Sequence, residues 1–439
     1  MKKVIKISII ILFFICIAIS FKKYFIKDYS MNLKDNNLEV DLRYRGLKKA
    51  VDFAMDDEEN CYIAYKSKIQ FIDNKGKSYN VFSDKNMNIN SMEYYKGKLY
   101  FSSYNSVYSY DIQKKKREEI ISGLPNFGDH KNSLVKVNGD YLYITIGSAT
   151  NSGVVGLDNS WVKNHPFSHD ISPYKITLRG INFDEGKTGA FVNYGTRNID
   201  GQIIPGHFPG NASVIMYNLQ NGAAGTYVWG IRNVNGIDFD SKGRMIASIG
   251  GMENRGLRAV KGDTDYIYVL KYKNWYGWPD YSGGDPISSP RFKDGNNRNI
   301  PFILDNHPTT NPEAPLYTHK NLGTLKSLAV DKSGLLGDVD SIYFYDDSER
   351  MIYSLNNKGV LSKKVEFNSN SKISSIKYAK NQILILDSNL GNMYNLKLDK
   401  TEKISMKNRP IIYFLLISTI IIIIAILKYT IEESNKKRK

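Results

Sequence analysis

The stretch VWGIRNVNGIDFDSKGRMIASIGG, Val228 to Gly251, decides how the chain folds. Its second half is an apolar-alternating strand, a turn of Asp, Ser, Lys and Gly, and a second apolar strand, the pattern of paired β-strands. Its first half sets Arg232 and Asn233 directly ahead of that unit. If such units form a ring, residues just ahead of a unit can lie at the mouth of the central channel.

Working outward, the same unit recurs along the chain. It appears as VDFAMDDEENCYIAY from Val51, INSMEYYKGKLYFSS from Ile89 and LVKVNGDYLYITIG from Leu134. After GIDFDSKGRMIASIG from Gly236 come LKSLAVDKSGLLGDVDSIYFYD from Leu325 and ISSIKYAKNQILILD from Ile373. Most units are followed by a further strand of the type KIQFIDNKG or YIYVLKY. No helical period of useful length interrupts residues 40–400. The count of 31 Tyr agrees, because aromatic and β-branched residues favour half-buried strands. The expected fold is all-β, a six-bladed β-propeller over residues 40–400. Closing a ring removes most exposed sheet edges; a β-sandwich or an open β-array is the alternative. The long spacings after the third and fourth units predict insertions there, where sites tend to be built. All six His and all four Trp fall between residues 130 and 319.

The net charge of +16 is placed mostly at the ends: +5 in residues 1–30, +5 in 401–439 and only +6 in the 370 residues between. No long basic block occurs in the middle, so nucleic acid is not an expected partner. The charge instead flanks apolar runs. Ile7 to Phe21 follows Lys2, Lys3 and Lys6, the pattern of a signal peptide or signal-anchor helix over residues 1–27. Pro410 to Leu427 is uncharged and Ile-rich, a transmembrane helix over 410–428, followed by a basic cytoplasmic tail over 429–439. These readings place the protein at the cell membrane with the propeller on the extracytoplasmic side. Cys16 lies in the first apolar run and Cys61 stands alone in the middle, so the propeller has no disulfide framework.

Four constellations could carry chemistry. In GLPNFGDHKNSL, His130 has the side chain best suited to a general base near neutral pH, with Asp129 beside it; the alternative is a surface turn. Arg232 could stabilise developing negative charge or hold a carboxylate, or be satisfied by strand-end carbonyls. Asp263 and Asp265 with nearby carbonyls suit a hard cation, or simply form a turn. His165 and His169 have zinc-like i,i+4 spacing, but Pro166 between them favours a structural loop.

With those residues in view, the chain resembles the soluble glucose/sorbosone dehydrogenases, and most closely their sorbosone-dehydrogenase-like branch. The resemblance spans roughly Gly46 to Leu398. It rests on GLPNFGDHKNSL, on GSATNSGVVGLDNSW with HPFSHDI, on GAFVNYGT with IIPGHFPGNASV, and on VWGIRNVNGIDFD running to WYGWPDYSGG. The family's fold is a six-bladed propeller, and its characterised members oxidise sugars with pyrroloquinoline quinone (PQQ) and Ca2+. The resemblance implies a quinoprotein-type oxidoreductase, which the apolar runs at the chain ends would tether to the membrane. It would oxidise a sugar or polyol and pass the electrons to an acceptor the sequence does not identify. It implies His130 as the base, supported by Asp129, and Arg232 and Asn233 at the cofactor, with Lys372 as the remaining basic partner near the last unit. Carbonyls at Gly251 and Met252 would hold the cofactor's calcium, and Asp265 with the Tyr276 backbone a structural one. The chain departs from the family where Glu349 stands in place of a Lys, where SNSKISSI lacks an arginine pair, and where Met252 replaces a Pro. Those departures support the alternative of a non-catalytic cell-surface propeller that binds a carbohydrate or a protein.

Overall fold

The computed structural model describes residues 31–399 and, near the C-terminus, the helical residues Lys428, Ile431 and Ser434. The terminal segments read above as signal or anchor helix and as transmembrane helix lie outside the described residues, apart from Lys428. Among the described residues no helix is long and apolar enough to cross a membrane.

Six antiparallel sheets follow one another along the chain, each hydrogen-bonded within itself and packed on the next through its innermost strand. Blade 1 begins with Asp52–Met55, blade 2 with Ile89–Tyr95 and blade 3 with Val135–Asn138. Blade 4 begins with Val234–Phe239, blade 5 with Leu325–Asp331 and blade 6 with Ile373–Ala379. These starts lie within two residues of the units read from the sequence. Alternation explains why: in Leu99, Phe101, Ile144, Ile246 and Ile385, for example, side chains point into the sheet-to-sheet cores and are almost fully buried.

The ring closes with a strand from the beginning of the chain. Blade 6 supplies only three of its strands from residues 373–398; the fourth is Leu38–Tyr44, paired with Asn392–Leu398 in a register that joins Leu38 to Leu398. A further short strand, Met31–Leu33, adds a fifth strand to the outside of blade 5 by pairing with Leu361–Phe367. Neither was assigned from the sequence, because each lacks a partner within its own repeat.

The two long insertions lie inside blades rather than between them. In blade 3, residues 147–212 separate the strands Tyr141–Ile146 and Ser213–Asn218 and carry a hairpin, Ile176–Arg179 with Asp200–Ile204. In blade 4, residues 271–316 separate Tyr266–Leu270 from Tyr317–Thr318. The two insertions share an apolar core of their own, including Phe191, Trp275, Trp278, Phe292, Ile303 and Leu304. They thicken one side of the face on which the innermost strands begin, here called the entry face.

The channel itself is crossed by ion pairs. Lys136 lies 3.1 Å from Asp238 and 3.5 Å from Glu93, while Lys377 lies 3.1 Å from Glu93 and 3.0 Å from Asp52. Burial opposes the charge on Lys136, but Asp238 and Glu93 overcome it and hold the ammonium above its ordinary pKa. A cavity of about 60 Å³ remains among these groups, room for a few waters.

Candidate functional site

His130 sits on the entry face, in the segment that leads into blade 3, beneath the blade-3 insertion. Gly147 lies against it: a β-carbon there would come within 2.4 Å of the His130 Cβ and 2.8 Å of the Asn233 side-chain oxygen. The absence of a side chain at Gly147 is therefore what lets the segments leading into blades 3 and 4 meet. His130 is partly exposed, but its Nε2 is buried and has no hydrogen-bond partner. Burial lowers its pKa well below the ordinary histidine value, and Arg232, Arg255 and Lys326 add to the effect. The imidazole is thus neutral at physiological pH, and its buried Nε2 has an unmet hydrogen-bonding position.

Asp129 does not act on His130 directly. It accepts hydrogen bonds from the Asn159 amide (3.0 and 3.1 Å), from the Trp161 indole (2.9 Å) and from Arg255 (2.6 Å). The bend at Gly128–Asp129 turns this carboxylate to Asn159, Trp161 and Arg255, while His130 lies against Gly147.

Arg232 is 5% exposed and fully engaged on one edge. Its Nε donates to the Asn151 carbonyl (3.1 Å), and one terminal nitrogen donates to the Asn151 side chain (3.1 Å) and to Glu253 (3.0 Å). Burial lowers the guanidinium's pKa, opposed by Glu253. Glu253 also binds Arg255, which continues to Asp129 and to Asp158 (2.8 Å). The two arginines hold the Glu253 carboxyl below its ordinary pKa against the opposing effect of burial. The result is a continuous network of two guanidiniums and three carboxylates, with a formal charge of −1. Asn151 is its hub: its amide also donates to the Glu253 carbonyl (2.7 Å), and its side-chain oxygen accepts from the Glu253 N–H (2.7 Å).

Sequence reasoning missed Glu253, Arg255 and Asn151. The one available signal was the run GGMENRG, which sets an acid and a base at alternate positions beyond Gly251. The other partners of Glu253, Arg232 and Asn151, lie 21 and 102 residues away, so no local pattern shows them.

The remaining expected site residues divide into groups. Arg232, Gly251, Met252 and Tyr276 line one small, partly open cavity of about 20 Å³, room for about one water. Asn233 turns away and donates to Asn235 (2.6 Å). Lys372 is exposed at the start of blade 6, where its backbone N–H donates to Asp387. Glu349 pairs with Lys320 and accepts from the Tyr353 hydroxyl.

Asp265 is completely buried. Its carboxylate accepts from four backbone N–H groups: Gly251 (3.2 Å), Gly323 (2.9 Å), Thr324 (2.7 Å) and Leu325 (2.9 Å). A carboxylate offers about four lone-pair directions, and here amides take them all. Asp263 likewise accepts from the Met252 N–H, the Ser282 hydroxyl and the Tyr266 hydroxyl. Among the described residues no group of three or more His, Cys, Asp or Glu side chains is arranged to hold a metal ion.

PQQ carries three carboxylates and needs cationic partners to leave water. The residues present do not fit it as they stand. Arg232 already has a carboxylate partner, the local network is net negative, and Asp265 is saturated by amides rather than open to calcium.

No family model matches the chain, and no curated protein matches it either. Solved structures do. The holo pyranose dehydrogenase PQQ domain from Coprinopsis cinerea superposes with a TM-score of 0.56 at 13% identity, covering 84% of this chain and 97% of that one. The calcium structure of the Trichoderma reesei carbohydrate-active enzyme of family AA12 does so with a TM-score of 0.56 at 13% identity, covering 84% and 98%. At this identity the likeness establishes the architecture: the chain has the six-bladed propeller fold of PQQ-type sugar dehydrogenases.

Proposed function

We propose that the protein is an extracytoplasmic, membrane-tethered propeller of the sugar-dehydrogenase type. Its entry face takes a sugar or polyol, and His130 accepts the proton of a ligand hydroxyl. The observation that carries this reading is the neutral imidazole with a buried, unpartnered Nε2 beside Arg232. Such a nitrogen lacks a hydrogen bond that a hydroxyl would supply. The sugar-dehydrogenase architecture of the solved neighbours supports the choice of ligand class. The apolar runs at both ends of the chain, with their flanking lysines, support the tether.

A second reading is favoured by a specific contact. The Glu253 carboxylate on Arg232 favours a propeller that binds a carbohydrate or protein without oxidising it. One experiment separates the two. The full-length chain is titrated with neutral aldoses and polyols by calorimetry, then assayed with PQQ, Ca2+ and an artificial electron acceptor. The oxidoreductase reading expects sugar-dependent reduction of the acceptor, lowered about 100-fold or more in His130→Ala, the usual contribution of a general base. Sugar binding without any reduction leaves the binding-only reading, and no sugar binding at all overturns both.

A further inference from the structure

We propose that Glu253 is the specificity-determining residue of the entry face: a built-in counter-ion that keeps carboxylate-bearing ligands off Arg232 and selects uncharged polyhydroxy ones. The proposal rests on reading this face as a ligand site.

Arg232 is a buried cation whose charge reaches the proposed base, and an anionic ligand would be drawn to it. Glu253 occupies that role from within the chain, at 3.0 Å, and its position is fixed by its neighbours. Its own N–H is held by Asn151, and its second oxygen is held by Arg255. Arg255 cannot serve as a substitute cation, because Asp129 and Asp158 already neutralise it. A ligand carboxylate brought to Arg232 would therefore meet a like charge within a few ångströms, in surroundings where burial strengthens the repulsion. A hydroxyl meets no such opposition. The Glu253 side chain is 36% exposed, so its oxygens are accessible acceptors for hydroxyl donors.

The test compares ligands of matched shape and different charge. Glucose and glucuronate are titrated into the full-length wild type, Glu253→Gln and Glu253→Ala, with citrate and PQQ as tricarboxylate probes. Thermal melts establish that each variant is folded. The wild type is expected to bind glucose and to discriminate against glucuronate. Both variants are expected to bind glucuronate and the tricarboxylates at least about tenfold more tightly, the scale of one charge-assisted hydrogen bond. The gain should shrink as salt is raised. Equal anion affinities in the wild type and both variants would overturn the proposal. If the wild type binds neither sugar, the reading of the face as a sugar site fails. The gain or constancy of tricarboxylate binding in the variants then still decides the role of Glu253.

Discussion

Asp170 shows how one buried group couples the site to pH. It lies within the blade-3 insertion, 1% exposed, and its carboxyl accepts from the Ala149 N–H (2.6 Å), the Thr150 N–H (3.2 Å) and the Thr150 hydroxyl (2.5 Å). Burial pushes its pKa up to about 7 from an ordinary value of 3.8, and these hydrogen bonds only partly oppose the shift. Between those values the folded chain keeps a proton that the unfolded chain has lost. Stability from this group is therefore greatest at low pH, falls as pH rises from about 4 to about 7, and is level above that. Asp170→Asn has no proton to lose. Melts of the two proteins at pH 5 and pH 8 should show the wild type losing ground to the variant as pH rises; parallel behaviour would contradict the assignment. At this scale the sequence was partly legible. The adjacency of Asp129 and His130 was visible, but not that the two side chains serve different neighbours. Arg232 stood out by its place ahead of a strand, whereas Glu253 is defined by contacts with distant residues.

At the level of elements, each blade was readable because its first two strands are local, joined by short turns with a clear period of two. The closing strand was not readable for the same reason in reverse. LEVDLRY has strand-like alternation, but its partner, Asn392–Leu398, lies at the far end of the chain. Val40 is 2% exposed in that strand and packs with Ile373, Ile383, Tyr394 and Leu396. Val40→Asp should destabilise the fold by on the order of 3 kcal/mol, by burying an unpaired charge and loosening closure. At half-exposed Asp41 in the same strand, a change to Asn removes only an exposed ion pair with Lys397, so denaturant melts of Val40→Asp and Asp41→Asn give a direct comparison. Similar losses in both would show that the strand is not a structural part of blade 6. The insertions of blades 3 and 4 were legible as extra length but not as a shared core, which depends on apolar residues more than 100 positions apart.

For the whole molecule, carboxylates act as the links between blades. Asp52 of blade 1 accepts from Ser91 and Met92 of blade 2 and from Ser375 and Lys377 of blade 6. Asp238 of blade 4 accepts from the Val330 N–H of blade 5, and Asp265 of blade 4 from the entrance to blade 5. The expected effect of metal follows from this. With Asp265 saturated by amides, adding Ca2+ or a chelator should leave the melting temperature within about 1 °C, whereas Asp265→Asn should lower it by several degrees, since it leaves buried N–H groups without acceptors. Stabilisation by Ca2+ that Asp265→Asn abolishes would reverse that conclusion. The N-terminal closing strand also bears on how the molecule is made. Leu38 pairs with Leu398, so 360 positions separate this early strand from the one that must receive it. Until the last blade emerges, the early strand has an unpaired edge, and the nearly complete ring remains open to pairing with another chain. The interval between synthesis of these two strands is therefore the period in which this protein is most exposed to misassembly.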